Sequence, residues 1–260
     1  MTEFSIVTVV RNDLHGLNAT AFSLAQQTFT DFQWIVIDGA SNDGTQESRD
    51  QLAHRPHTFV SEPDKGLYDA MNKGMRLANG HWVQFLNAGD ALCASDTLQR
   101  VHAWTSTTES AWGFGAVRNI DSTGVATGFQ CPSPFTTLGL AHGHITVPHQ
   151  ATFMRRSLTA QLGTFLTDGG TAADQEYILR AARTGPPFEM VWPVVDFRLG
   201  GVGMGHSVGH LTRAMRRYRR NSRANDGGNA IVDSAIDGYV ITKEWFASIE
   251  ARMLKRRSGS

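Results

Sequence analysis

The chain is poor in cysteine: only Cys93 and Cys131 among 260 residues. They stand in unrelated contexts. Neither a disulfide framework nor a cysteine-based metal cluster is expected, and a reducing compartment is the default. Long hydrophobic runs are lacking too, and none approaches the ~20 residues that cross a bilayer. No charged-then-apolar leader pattern is read ahead of the strand-like FSIVTVV at 4–10, so a cytoplasmic location is expected. Two nucleotide-binding signatures are missing. There is no GxxxxGKS or GxxxxGKT phosphate loop, and the first strand runs into VVRNDLHG rather than GxGxxG. The glycines of GGVGMGHSVG (200–209) do not have that spacing either. These absences exclude a P-loop enzyme and argue against a nicotinamide dehydrogenase.

Net charge is also absent, with 24 Lys and Arg against 24 Asp and Glu, but the balance is uneven along the chain. Residues 1–205 hold 13 basic and 19 acidic side chains, whereas 206–260 hold 11 and 5. A tail this basic suits an anionic partner or an acidic body to pack on. With 41% hydrophobic and 18% charged residues the composition is that of a soluble globular protein. The length allows one large α/β domain, or one domain plus an appendage.

Strand and helix signals alternate over the first hundred residues. FSIVTVV and FQWIVID (32–38) read as strands, HTFVSEPD (57–64) as a weaker one, and HWVQFLNAGD (81–90) as a fourth. Between them LNATAFSLAQQ (17–27), NDGTQESRDQLA (42–53) and GLYDAMNKGMRLANG (66–80) read as helices. Such alternation predicts a parallel sheet with right-handed crossovers. Further on, 111–130 reads as a hairpin turning at Asp121–Gly124, 144–158 as a strand entering a helix, and 169–183 as a helix opened by glycines. MVWPVVDFRLGGVGMGH (190–206) reads as a strand before a Gly-rich segment. Two amphipathic helices are expected in the tail, at 211–220 and 231–254, the first with Leu211, Ala214, Met215 and Tyr218 on its apolar face. This helix suits a membrane interface, a homodimer contact or packing on the main domain, and no nucleic-acid module accompanies it.

Ligands of open α/β sheets bind beyond the carboxyl ends of the strands. Three predicted strands end in polar or acidic residues there: at Arg11-Asn12-Asp13, at Asp38, and at Asn87–Asp90. The order FSIVTVVRN, WIVIDGASNDGT, SEPDKGLYDAMNKGMRLANGHWVQFLNAGD, then HQATFMRRSL and TAADQEYILRAA, resembles family 2 glycosyltransferases of the GT-A fold. It is most similar to small bacterial enzymes of colanic acid and related glycan or glycolipid assembly. The resemblance covers about residues 4–205, which sets the expected division: a catalytic domain at 1–205 and a basic helical extension at 206–260.

The resemblance implies a Rossmann-like, mixed but mostly parallel sheet flanked by helices. It also implies a nucleotide-diphosphate sugar donor and an inverting single displacement. Asp38 matches the carboxylate that contacts the nucleotide base. Thr8, Arg11, Asn12, Lys65, Asp69 and Asn87 are the other donor-side candidates. Asp90 matches the last carboxylate of the D-x-D type motif, which holds Mn²⁺ or Mg²⁺ on the diphosphate. The sequence departs from that motif at its first position, where Asn87 or Ala88 stands. A histidine of the C-terminal loop, His206 or His210, completes the metal shell in many relatives. Asp174 matches the general base, with Glu176 as its rival, and His149-Gln150 border the acceptor. The acceptor implied is a glycan or glycolipid at the inner face of the cell membrane. Two other classes stand beside this reading, a nucleotidyltransferase and a binding module that kept the fold without turnover.

Overall fold

The structure is a computed structural model that describes residues 2–121, 123–168, 170–199 and 213–218. Its centre is a nine-stranded sheet. β1 (Phe4–Val10), β2 (Phe32–Asp38), β3 (Thr58–Ser61) and β4 (Trp82–Phe85) run parallel in the order β3-β2-β1-β4. Every residue of β1 and β2 is buried, as expected of parallel strands covered on both faces. Their side chains alternate between two cores. Val7, Val9, Ile35 and Ile37 pack with Ala70 and Met71 of α2 (Leu67–Leu77) and with Tyr177 and Ile178 of α6 (Ala173–Ala182). Phe4, Ile6, Trp34 and Val36 pack on the other side with Leu17, Ala21 and Leu24 of α1 (Leu14–Ala25).

The second half of the sheet is mixed. β8 (Thr152–Arg155) runs antiparallel to β4 and to β6 (Trp112–Ile120). β9 (Phe188–Arg198) is parallel to β6. The two-residue β5 (Ala91–Leu92) is antiparallel to β9. β7 (Ala126–Gln130) closes the predicted hairpin with β6. Helices α3 (Thr97–Thr105), α4 (Thr137–Ala141) and α5 (Arg156–Leu162) lie between these strands. Among the described residues no helix is long and apolar enough to cross a membrane.

Three local expectations are corrected. The helix expected at 42–53 is only a 3-10 turn, Glu47–Asp50. Gly44 takes a φ of +90°, and Leu52 is the only buried apolar residue in the stretch, so no apolar stripe holds a longer helix to the sheet. The helix expected from Leu17 starts at Leu14, because the Asp13 side chain accepts the Gly16 N–H at 2.9 Å and sets the first turn earlier. The strand expected from His144 starts only at Thr152. Ahead of it Pro148 offers no N–H, and the side-chain amide of Gln175 engages both backbone groups of Val147 at 2.9 Å in place of a neighbouring strand.

Of the tail, residues 213–218 are helical. Met215 and Tyr218 are buried in the same core as Tyr177 and Ile178, while Arg213 and Arg217 are exposed. The apolar residues of this stretch therefore pack on the main body. Leu211, His206, His210 and the helix expected at 231–254 lie outside the described residues.

The tightest seam in the first core is at Gly74 of α2. A Cβ there would sit 2.2 Å from Val7 Cγ1 and 3.3 Å from Ile37 Cγ1. Alanine favours a helix by up to ~1 kcal/mol over glycine, but Val7 is β-branched and cannot swing aside. Gly74→Ala is expected to lower stability by about 1–3 kcal/mol in urea unfolding. A variant as stable as the parent would refute the seam.

Candidate active site

β1, β2 and β4 are parallel, so their polar ends meet at one edge of the sheet. Two non-glycine residues there lie in the left-handed region, Asn12 at φ +52° and Ala40 at φ +56°. The loops that hold them are stitched together. Asn12 N–H donates to Ser41 Oγ at 2.7 Å, and Asn42 N–H donates to Asn12 Oδ1 at 2.9 Å.

After Phe85 the chain stays beside β1, with Leu86 and Ala88 N–H donating to Val7 and Val9 carbonyls. It then turns at Gly89, whose φ is +93°. Thr20 of α1 clasps this turn: its hydroxyl donates to Asp90 O at 2.7 Å and accepts the Gly89 N–H at 3.2 Å. Gly16 allows the approach, since a Cβ there would lie 2.8 Å from Gly89 N. The turn carries Asp90 inward, leaving it 4% exposed. Its carboxylate accepts Arg198 N–H at 3.2 Å, and the Gln150 side chain lies beside it. Burial pushes the Asp90 carboxyl up to about 7, against the pull of those groups and of His149.

Asp174 lies in the first turn of α6, where a negative charge meets the positive end of the helix. Its side chain is 14% exposed. Oδ1 accepts from the Tyr68 hydroxyl at 3.2 Å. Oδ2 accepts from His149 Nδ1 and from Gln175 Nε2, both at 3.0 Å. Burial works to raise the Asp174 carboxyl, but the His149 and Gln175 contacts outweigh it and hold the group below the usual range. Burial, and then the Asp174 charge, drive the Tyr68 phenol well above its ordinary value. Glu176 is engaged elsewhere, paired with Arg180 at 2.9 Å.

On its other side the His149 ring meets Asn87: Nε2 lies 3.0 Å from Asn87 Nδ2. Asn87 Oδ1 is buried without a partner. A continuous chain thus runs from the end of β4 to the start of α6, through Asn87, His149, Asp174 and Tyr68. Beneath His149 lies a small apolar cavity lined by Phe85, Thr152, Phe165 and Tyr177.

The remaining candidates are distributed as follows. Asp38 is fully buried, and its carboxylate accepts the Ser41 N–H and hydroxyl and, at 2.6 Å, the Ser61 hydroxyl. A nucleotide base would have to displace a serine hydroxyl to reach it. Thr8 belongs to the core instead of the crevice: it is fully buried, and its hydroxyl accepts the Trp34 indole N–H at 2.9 Å. Arg11, Asn12 and Lys65 are exposed at the rim. Asp69 accepts the Lys65 N–H at 3.0 Å. Gln150, expected to face the acceptor, is buried against Asp90 instead. Sequence reading did not single out Arg198, whose guanidinium also lies 3.9 Å from Asp13, nor Thr20.

Residues 5–163 match the sequence profile of Glycosyl transferase family 2, more than half of the chain. The chain belongs to that family. This glycosyltransferase is 33% identical over 259 residues to an uncharacterized glycosyltransferase of Mycobacterium tuberculosis H37Rv, covering 96% of this chain and 97% of the relative. It is 32% identical over 183 residues to a PGL/p-HBAD biosynthesis glycosyltransferase of Mycobacterium bovis BCG, covering 68% of each. Among solved structures it resembles Staphylococcus aureus TarS 1-349 in complex with UDP-GlcNAc, at TM-score 0.64 and 18% identity, over 84% of this chain and 67% of that one. It also resembles a mannosyltransferase of Pyrobaculum calidifontis in complex with GDP-Man and Mn²⁺, at TM-score 0.58 and 16% identity, over 93% and 80%. These neighbours show the GT-A fold.

The Asp90 environment gives a stability test in EDTA. The folded carboxyl, at about 7, lies above its unfolded value near 3.8, so the folded protein binds the extra proton and loses stability as pH rises through that window. Asp90→Asn removes this dependence. The variant is expected to gain on the order of 2–4 kcal/mol over the parent at pH 8, shrinking to nothing near pH 4. A difference that does not change with pH would contradict a buried, raised carboxyl.

Proposed function

We propose that this glycosyltransferase moves a sugar, with inversion, from a nucleotide-diphosphate sugar to a hydroxyl of a glycan or glycolipid. The observation that carries the reading is the junction of Asp174 with the end of β4 through His149 and Asn87. It sets an ionised carboxylate beside the strand ends where ligands of such sheets bind. Asp174 accepts the proton of the acceptor hydroxyl as that oxygen bonds to C1 and the electron pair of the breaking bond goes to the diphosphate. The UDP-GlcNAc and GDP-Man of the two structural neighbours support a nucleotide-sugar donor.

The residues present fit a divalent cation that arrives with the diphosphate, and not a cation held by the protein alone. Among the described residues no three carboxylate, histidine or cysteine groups cluster around a metal position. Mg²⁺ and Mn²⁺ on a nucleotide need only one or two protein carboxylates, and Asp90 supplies one. Such a cation, when bound, would offset the charge growing on the diphosphate. His206 is proposed as a further ligand on the resemblance alone. The basic residues beyond Tyr218 are the proposed contact with an anionic membrane surface at the cytoplasmic side, near a lipid-linked acceptor.

Calorimetry of UDP, GDP and dTDP binding, with Mn²⁺ or EDTA, tests the donor side. One nucleotide is expected to bind with Mn²⁺, and to lose at least ~10-fold in affinity with EDTA or in Asp90→Ala. Equal binding in all four conditions would remove Asp90 from the metal. Asp174→Asn is expected to keep nucleotide affinity while turnover falls ~10²–10⁴-fold. Full turnover in that variant would remove Asp174 as the base.

A further inference from the structure

The expected role of His149 was to touch the acceptor. Its surroundings point elsewhere. The ring is 12% exposed, and both nitrogens are engaged by side chains of the cleft. Asp174 Oδ2 accepts, so Nδ1 carries the proton. In the neutral ring Nε2 then has a lone pair, which suits the Asn87 amide N–H₂ that faces it. Turning the Asn87 amide over would require a proton on both ring nitrogens. The unpartnered, buried Oδ1 of Asn87 follows from this orientation.

We infer that His149 is a positioning residue that holds Asp174 through Nδ1 and is itself set by Asn87 through Nε2, so that the base is placed from the donor side of the cleft. The inference rests on Asp174 acting as the base. A carboxylate has about four lone-pair directions, and three are taken by Tyr68, His149 and Gln175. The Gln175 backbone N–H also bears on the carboxylate, and Oδ1, which has the fewer side-chain donors among the described residues, is the oxygen offered to an acceptor hydroxyl. His149 and Gln175 fix the Oδ2 side, which leaves Oδ1 to face the reaction. Asn87, at the end of the strand where the donor binds, fixes His149 in turn. No proton passes through His149 in this arrangement.

Two substitutions separate the functions of the ring nitrogens. Asparagine places an amide near Nδ1, and glutamine places one near Nε2. His149→Asn can therefore still donate to Asp174, whereas His149→Gln keeps the reach to Asn87 and loses that donor. Turnover is read as nucleotide release from UDP-glucose, UDP-N-acetylglucosamine or GDP-mannose, with octyl glucoside as acceptor. The expected result is a kcat loss of roughly 10–100-fold in His149→Gln, with the donor KM within about 3-fold, and recovery to within about 5-fold of the parent in His149→Asn. Tyr68→Phe, which keeps the ring packed, is expected to lower kcat by a few-fold, roughly 3–10, with the donor KM unchanged.

Equal losses in both His149 variants, as large as in Asp174→Asn, would make His149 the proton acceptor and overturn the inference. A raised acceptor KM at unchanged kcat would return it to acceptor binding. Turnover that survives Asp174→Asn sinks the base reading itself. A dead Asp174→Asn beside a His149→Gln within about 3-fold of the parent sinks only the present inference. A second measurement needs no substrate: ¹⁵N-histidine spectra of the full chain, with His149 assigned by its loss in His149→Gln. The Nδ1–H tautomer is expected in the parent. The common Nε2–H tautomer in the parent would overturn the assignment.

Discussion

A carboxylate as enclosed as that of Asp174 remains ionised only if its neighbours supply the hydrogen bonds that water would have given. Three donors do so, from three parts of the chain: Tyr68 on α2, His149 ahead of β8, and Gln175 on α6. Each donor is anchored by something else. Tyr68 stacks on Phe165, which stacks in turn on Tyr177 of α6. Asn72, one turn along α2, exchanges both backbone bonds of Phe165 through its amide. Gln175 spans from Asp174 to Val147, just ahead of His149. The first core is therefore arranged around the need to satisfy one buried charge, and its aromatic stack keeps the donors in place.

The opposite solution is used at Asp90. Its oxygens receive one backbone N–H, with the Gln150 side chain beside them, too little to offset burial, and its carboxyl rises. Two acidic groups near the same histidine thus sit on opposite sides of their ordinary range. One is held ionised by its hydrogen bonds. The other is undersupplied with hydrogen-bond donors for its burial.

Much of the fold could be read from the chain because its first hundred residues are locally consistent. FSIVTVV and FQWIVID are β-branched or aromatic at nearly every position, which only a strand covered on both faces accommodates. The segment at 42–53 misled because it has a cap and charges but almost nothing apolar to bury. Thr8 was misplaced by proximity to the strand end. Its parity, shared with Phe4, Ile6 and Val10, assigns it to the core of α1. The candidate carboxylates Asp90 and Asp174 were named by resemblance, but their partners were not legible. Tyr68 and Asp174 stand 106 residues apart, and Asn87 and His149 stand 62 apart. Contacts of that separation are set by topology, and no local pattern encodes them.

The loops at the ends of β1 and β2 carry a consequence for how any ligand at this edge would be received. Asn12 and Ala40 hold a backbone shape that L-residues rarely adopt, and the cross-bonds to Ser41 and Asn42 keep it. The backbone of this rim is therefore set by the protein's own hydrogen bonds. Ordering a rotamer-rich side chain on binding costs about 0.5–1.5 kcal/mol, and for Asn12 and Ser41 that ordering is completed during folding. A ligand that meets this rim would find a shape already set, so selection there would turn on fit to a fixed outline and not on how well a loose loop can mould itself.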